Sequence, residues 1–219
     1  RVVAAMTAML DRQVGELLDL LEELGLAENT AVFFCSDNGA SYRFEGTLDS
    51  SGPLRGRKRD MYEGGIRVPM VARWPGRIAA GADSALPWYF PDVLPTCCAI
   101  AGIEPPPGID GMSVTPTLFG AGAQHAPRHL YWEWPTFDWR KKKYTGLIQA
   151  VRHGDWKLLR QGQDQPWELY NLAEDPGEQT DLADKRPERV AELKAWIDAH
   201  RDPMPPQVEP EMPDGRKFR

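Results

Sequence analysis

Residues Ala31 to Ala40 read AVFFCSDNGA, an apolar run that stops at Asp37-Asn38-Gly39. A strand apolar on both faces is typical of a buried strand in a parallel sheet. In open α/β sheets, ligands bind beyond the carboxyl ends of the strands. Asp37 and Asn38 fall at that end. They offer one charged and one neutral oxygen, hard donors suited to Ca²⁺ or Mg²⁺. Gly39 lets the chain turn away sharply. A plain turn explains the same letters, because Asn-Gly between two strands also marks a hairpin.

Upstream, apolar residues at 3, 6, 10, 14, 17, 21 and 24 keep the spacing of one helix face. They predict a helix from Val3 to Leu24, about 33 Å long. Gly25 suits its carboxyl cap. The spacing also fits a coiled-coil seam, but it lasts only about three heptads and a buried strand follows. Helix, short loop and parallel strand make half of a βαβ unit. The chain opens at Arg1 inside this pattern, with neither an initiator Met nor a signal peptide. The expectation is the carboxyl portion of something longer.

Downstream, Ser41 to Gly65 is loop-rich and dense in Gly, Arg and Lys. A second strand is expected at Ile66–Trp74, closed by Pro75-Gly76. Pro91–Ala101 reads as a helix with Gly102 after its end. A Pro-rich loop at Glu104–Gly111 and a short helix at Val114–Phe119 follow. From Arg128 the texture changes to short strands at Leu130–Trp134, Leu147–Arg152, Trp156–Arg160 and Glu168–Tyr170, a small antiparallel sheet. An amphipathic helix, Pro187–His200, presents Val190, Leu193 and Ile197 on one face.

The expected architecture is therefore α/β. Residues 1–127 form part of a three-layer sandwich with a mainly parallel sheet. Residues 128–201 form a small C-terminal α+β subdomain with an antiparallel sheet. Residues 202–219, rich in Pro and charge, form an extended tail.

Composition excludes several classes. The chain has 219 residues, 42% hydrophobic and 26% charged, which is ordinary for a globular protein. A net charge of −6 argues against nucleic-acid binding by bulk attraction. No apolar run approaches the roughly 20 residues of a membrane span. Cys35, Cys97 and Cys98 match neither a zinc spacing nor a disulfide framework, so they do not identify a compartment.

A second constellation lies in residues 54 to 76, LRGRKRDMYEGGIRVPMVARWPG. Lys58 stands in a basic loop, twenty-one positions after Asp37. An ammonium there can meet an anion held by a cation at Asp37 and Asn38. A solvated basic loop is the plainer reading. A phosphate-binding P-loop is excluded, because position 57 is Arg where that motif needs Gly.

SDNG followed by LRGxKxxxYEGGxRVPxxxxWPG resembles the formylglycine-dependent sulfatases of arylsulfatase A-like type, in the alkaline phosphatase superfamily. Further segments agree: LDRQVGELLDLLEELGL at the start, DxxPTxxxxAG from Asp92, DGxSxxP from Asp110, VRxGDWKL from Val151 and WELYxLxxDPxE from Trp167. The likeness spans about residues 1 to 201. It implies that Asp37 and Asn38 ligate one Ca²⁺ (Mg²⁺ being possible) and that Lys58, as a catalytic and substrate-binding residue, contacts the sulfate.

The resemblance also implies what this chain would do and what it lacks. The intact parent would hydrolyse sulfate esters, with a sulfated small molecule or carbohydrate as substrate. The family's formylglycine arises from a cysteine in C-x-[PA]-x-R, and no cysteine here has that context. It is expected upstream, as are the Asp pair completing the cation shell and further Lys and His residues. The segment alone is expected to be inactive. Localisation is open, with a periplasmic or secreted parent suggested by the family.

Alternatives stay open at this point. Two-metal phosphatase and phosphodiesterase relatives usually carry His where Asn38 stands, and imidazole suits a softer ion. Asn38 therefore favours sulfate over a phosphoester or phosphonate hydrolase. A non-catalytic sugar-binding or structural fragment is the other alternative. His125, His129, His153 and His200 show no ligand spacing and read as surface or turn residues. The Arg140–Lys143 run reads as a solvated loop tip, with sugar or nucleic-acid contact as its alternative. Trp132, Trp134 and Trp139 could form a sugar-stacking wall, but burial explains the first two.

Overall fold

The computed structural model describes residues 1–41, 48–121, 124, 128–138 and 143–201. The expected tail, His125, Trp139 and residues 140–142 of the basic run lie outside the described residues. The chain divides into two compact units. One comprises Arg1–Ser36 and Pro69–Ala126, the other Asp37–Val68 and Pro127–Arg219.

In the first unit, α1 (Val2–Glu23) follows the three-and-four spacing of its apolar residues. A short 3-10 turn, Ala27–Asn29, leads into β1 (Val32–Cys35). β2 (Met70–Arg73) pairs with β1 antiparallel, from Val32↔Arg73 to Cys35↔Met70. Arg73 donates to Glu22 at 2.6 Å, and the Trp74 indole N–H donates to the Glu28 carbonyl at 2.8 Å. These contacts tie the strand pair to the helix that precedes it. No residue of α1 is buried, and Met6, Leu10, Leu17 and Leu24 of its apolar face remain exposed.

Two expectations change here. The α/β reading anticipated mainly parallel pairing, whereas the described strands pair antiparallel. Parallel neighbours need a crossover of a dozen or more residues, usually a helix. The described residues between β1 and β2 hold only one helical turn, α2 (Glu63–Ile66). The strand expected at Ile66–Trp74 is likewise shorter. The Arg67 N–H donates to the Glu63 carbonyl at 2.7 Å and closes that turn first, and Pro69 has no N–H to give a ladder.

After β2, α3 (Val93–Ala101) ends at Gly102 in the left-handed region. Asp92, fully buried, accepts the N–H groups of Tyr89 at 3.1 Å and Met112 at 2.9 Å. Thr96 accepts the Val114 N–H at 3.1 Å. The DxxPT and DGxS segments are thus one hydrogen-bonded unit. α4 (Thr115–Leu118) follows directly.

In the second unit, four antiparallel strands run in sequential order: β3 (His129–Asp138), β4 (Lys143–His153), β5 (Trp156–Arg160) and β6 (Glu168–Asn171). Alternate residues face opposite sides. Ile148, Ala150, Leu159 and Tyr170 pack with Met61 and Tyr62 on one side. Val151, Leu158 and Leu169 pack with Leu193 and Ile197 of α5 (Pro187–His200) on the other. Both faces are covered, so β5 and β6 carry apolar residues at consecutive positions.

Trp132 packs against the first cluster, as burial predicts, but Trp134 is exposed. It lies beyond that core, close to the register shift at Thr136/Phe137. Histidines that read as surface or turn residues also share an arrangement. His153, His129, Trp196 and His200 form one column of near-parallel rings, with successive centroids 4.2, 4.3 and 4.5 Å apart. Register pairs His129 with His153 across β3 and β4, and α5 adds the other two rings. Sequence spacing could not show a column built from three elements.

Candidate functional site

Three backbone segments of the second unit interlock just after β1. The Gly39 N–H donates to the Gly65 carbonyl at 2.9 Å. The Lys58 N–H donates to the Ala40 carbonyl at 2.8 Å. The Gly64 N–H donates to the Arg55 carbonyl at 2.7 Å. The approach is too close for side chains: a methyl on Gly39 would lie 1.9 Å from the Gly64 carbonyl oxygen, and one on Gly65 2.2 Å from that of Asp60. This is the physical reason for glycine in SDNG and YEGG.

Lys58 occupies a corner of a tight turn. The Asp60 N–H donates to the Arg57 carbonyl at 2.8 Å, and the Arg57 N–H donates to the Asp60 carboxylate at 3.0 Å. Arg59 has φ = 82°, the value a type II turn demands at its third residue. Glycine is the usual occupant there, so Arg59 holds local strain beside Lys58.

The structure therefore brings the Lys58 backbone to within two residues of Asn38. Asp37 is exposed, while Asn38 and Lys58 are half-buried. Among the described residues, the Asp37 carboxylate and the Lys58 ammonium enter no ion pair or side-chain hydrogen bond. Their charge is not used to hold the fold. Asp37 and Asn38 suit a hard cation in kind. They fall short in number, because Ca²⁺ takes 6–8 oxygens and no group of three His, Cys, Asp or Glu able to hold a metal occurs among the described residues.

The sequence reading missed a buried charge cluster beneath these turns. Lys157 of β5 is 0% exposed, Glu63 of α2 3% and Glu178 0%. The Lys157 ammonium lies 2.9 Å from Glu63 Oε1, as a hydrogen bond, and 2.8 Å from Glu178 Oε1, an ion pair without hydrogen-bond alignment. Glu178 Oε2 accepts the Glu63 N–H at 2.6 Å. Arg152 and Arg67 reach within 3.7 and 3.9 Å of Glu63 Oε2. Burial pushes the Glu178 carboxyl above its ordinary value, with Lys157 opposing. One signal was present in the sequence: a lysine in WKLLR, a strand otherwise covered on both faces.

Arg55 supplies a second clamp. It stacks 3.9 Å over the Tyr62 ring and donates to the Tyr170 hydroxyl at 2.9 Å and the Glu178 carbonyl at 2.8 Å. Tyr62 and Tyr170 both donate to Glu168, at 2.7 and 2.5 Å. Burial and that carboxylate push both phenols well above their usual range, so they stay protonated donors.

The family model "N-sulphoglucosamine sulphohydrolase, C-terminal" matches residues 56–202, and the model "Sulfatase" matches residues 2–103. A sulfatase of Formosa agariphila is 34% identical over 220 residues, covering 89% of this chain and 39% of that protein. Arylsulfatase A of Homo sapiens is 34% identical over 231 residues, covering 91% and 44%.

Among solved structures, a protein captured with its substrate D-glucosamine-2-N,6-O-disulfate superposes with TM-score 0.66 at 28% identity. That alignment covers 86% of this chain and 37% of the other. A phosphonate monoester hydrolase from Silicibacter pomeroyi has TM-score 0.68, covering 95% and 42%, but its 20% identity marks a shared fold alone. The chain spans about two fifths of the length of the curated relatives it matches. The segment matched by the C-terminal model holds Lys58, Glu63, Lys157 and Glu178 together, and the chain belongs to the sulfatase family.

Proposed function

We propose that this chain is part of a sulfatase that hydrolyses sulfate esters of carbohydrates. The observation that carries the reading is the juxtaposition of two turns. The Asp37–Asn38 turn and the Lys58 turn are joined through the Lys58–Ala40 hydrogen bond, and Asp37 and Lys58 keep their charges uncommitted. Asp37 and Asn38 would hold one divalent cation, Ca²⁺ or else Mg²⁺. When bound, such a cation neutralises charge that builds on sulfate oxygens as the ester S–O bond breaks. The Lys58 ammonium would bear on the same oxygens from the neighbouring turn, in a geometry fixed before substrate arrives.

The remaining oxygen ligands and the formylglycine nucleophile would come from other parts of a full-length enzyme, since the relatives are more than twice as long. The exposed apolar face of α1 fits the same reading, as a surface the rest of a sulfatase domain would cover. Substrate class is supported by the relative solved with a disulfated glucosamine. Asn38 rather than His at the cation keeps the choice on sulfate. The test is turnover by the full-length protein of glucosamine 6-sulfate against the matching phosphate ester, with and without Ca²⁺. Preferred, Ca²⁺-dependent cleavage of the sulfate is expected. Preferred cleavage of the phosphate would overturn the reading.

A further inference from the structure

The buried Glu63–Lys157–Glu178 cluster has a shape that stability alone does not explain. Replacing a buried ion cluster by well-packed apolar groups is often neutral or better for stability. What such a cluster does supply is register, because its charges are satisfied in one arrangement only. Here that arrangement fixes Glu63. Its carboxylate is held by Lys157 and its backbone N–H by Glu178. Glu178 does this from a left-handed conformation, φ = 53°, which is strained for a side chain other than glycine.

Glu63 is the first residue of α2, and the next two residues carry the interlock. Gly64 bonds Arg55, at the start of the Lys58 loop, and Gly65 bonds Gly39, beside Asn38. A shift at Glu63 must therefore move both turns. We propose that Lys157 is a positioning residue: acting through Glu63, with Glu178 as its second anchor, it holds the Lys58 turn against the Asp37–Asn38 turn. The mechanical coupling stands on the hydrogen bonds. Its catalytic consequence rests on the sulfatase reading.

Amide hydrogen exchange on the full-length protein tests the coupling. Lys157→Met alone leaves two buried carboxylates facing each other and risks unfolding. The triple variant Glu63→Gln/Lys157→Met/Glu178→Gln removes the charges while keeping shape. Exchange at the Gly39, Lys58 and Gly64 amides should accelerate at least tenfold, with less than a twofold change at the Val151 and Leu158 amides. Unchanged exchange at the three site amides, or an equal acceleration everywhere, overturns the proposal. In the full-length protein the same variant should lower kcat on glucosamine 6-sulfate at least tenfold, and an unchanged kcat also overturns it. If the full-length wild type cleaves no sulfate ester while the selective exchange holds, the sulfatase reading fails and the coupling stands.

Discussion

The backbone N–H of Lys58 donates to the carbonyl of Ala40 at 2.8 Å, joining a basic turn to the Asp-Asn turn that ends the first strand. Twenty-one positions of sequence separate Lys58 from Asp37, and this one bond removes that distance. It also explains why both segments are glycine-rich. Backbone must pass backbone here with no Cβ between.

That close approach makes Gly39 the most sensitive small residue of the site. A methyl there would meet the Gly64 carbonyl oxygen at 1.9 Å and the Gly65 Cα at 2.8 Å, so backbone must move. Gly39→Ala is expected to cost about 1–3 kcal/mol, the range for overpacking a tight site. Gly15→Ala in α1, with nothing within 4 Å, should instead stabilise by about 0.5–1 kcal/mol. Urea midpoints of the two variants check the contrast, and equal shifts would contradict it.

Arg59 gives the opposite sign at a neighbouring position. Its φ of 82° costs an ordinary residue roughly 1–2 kcal/mol. Glycine relieves that strain but loses more entropy on folding. Arg59→Gly should therefore raise stability by up to about 1 kcal/mol. A lower denaturation midpoint would show that the arginine side chain contributes contacts outweighing its strain.

The ring column predicts a pH dependence. His129 is held below its ordinary value by burial, by His153 and His200, and by Arg189, with Glu192 pulling the other way. The unfolded chain then takes up the proton first as pH falls. Stability from this residue is present above about pH 6.5 and is lost as pH drops through that value toward the lower folded-state one. His129→Phe keeps a ring in the stack but removes the proton, so its melting temperature should fall less between pH 7.5 and pH 5.5. The same fall in both proteins would rule out this role for His129.

Much of the fold could be read from local pattern. The three-and-four spacing of α1, the short strands after Arg128 and the apolar face of α5 are each written in a few consecutive turns or residues of one element. Residue chemistry raised the pairing of Asp37–Asn38 with Lys58 and motif resemblance strengthened it, but spacing could not locate the contact, because the bonds that join the turns are between backbones. Lys157 and Glu178 lie 94 and 115 positions from Glu63, which both of them touch. No periodicity links residues that distant. Strand direction was misjudged for a related reason: AVFFC states that both faces are apolar, and nothing in it states which way its neighbour runs.

Substitution of Lys58 by Ala in the full-length protein tests the central claim most directly, with glucosamine 6-sulfate turnover and Ca²⁺ binding measured on the same preparation. Loss of one positioned donor to a developing charge typically lowers kcat by about 10²–10³. A fall of that order with Ca²⁺ affinity unchanged is the expected result. Turnover within a few-fold of wild type would mean that the ammonium does not bear on the sulfate, and the paired-turn site would be refuted.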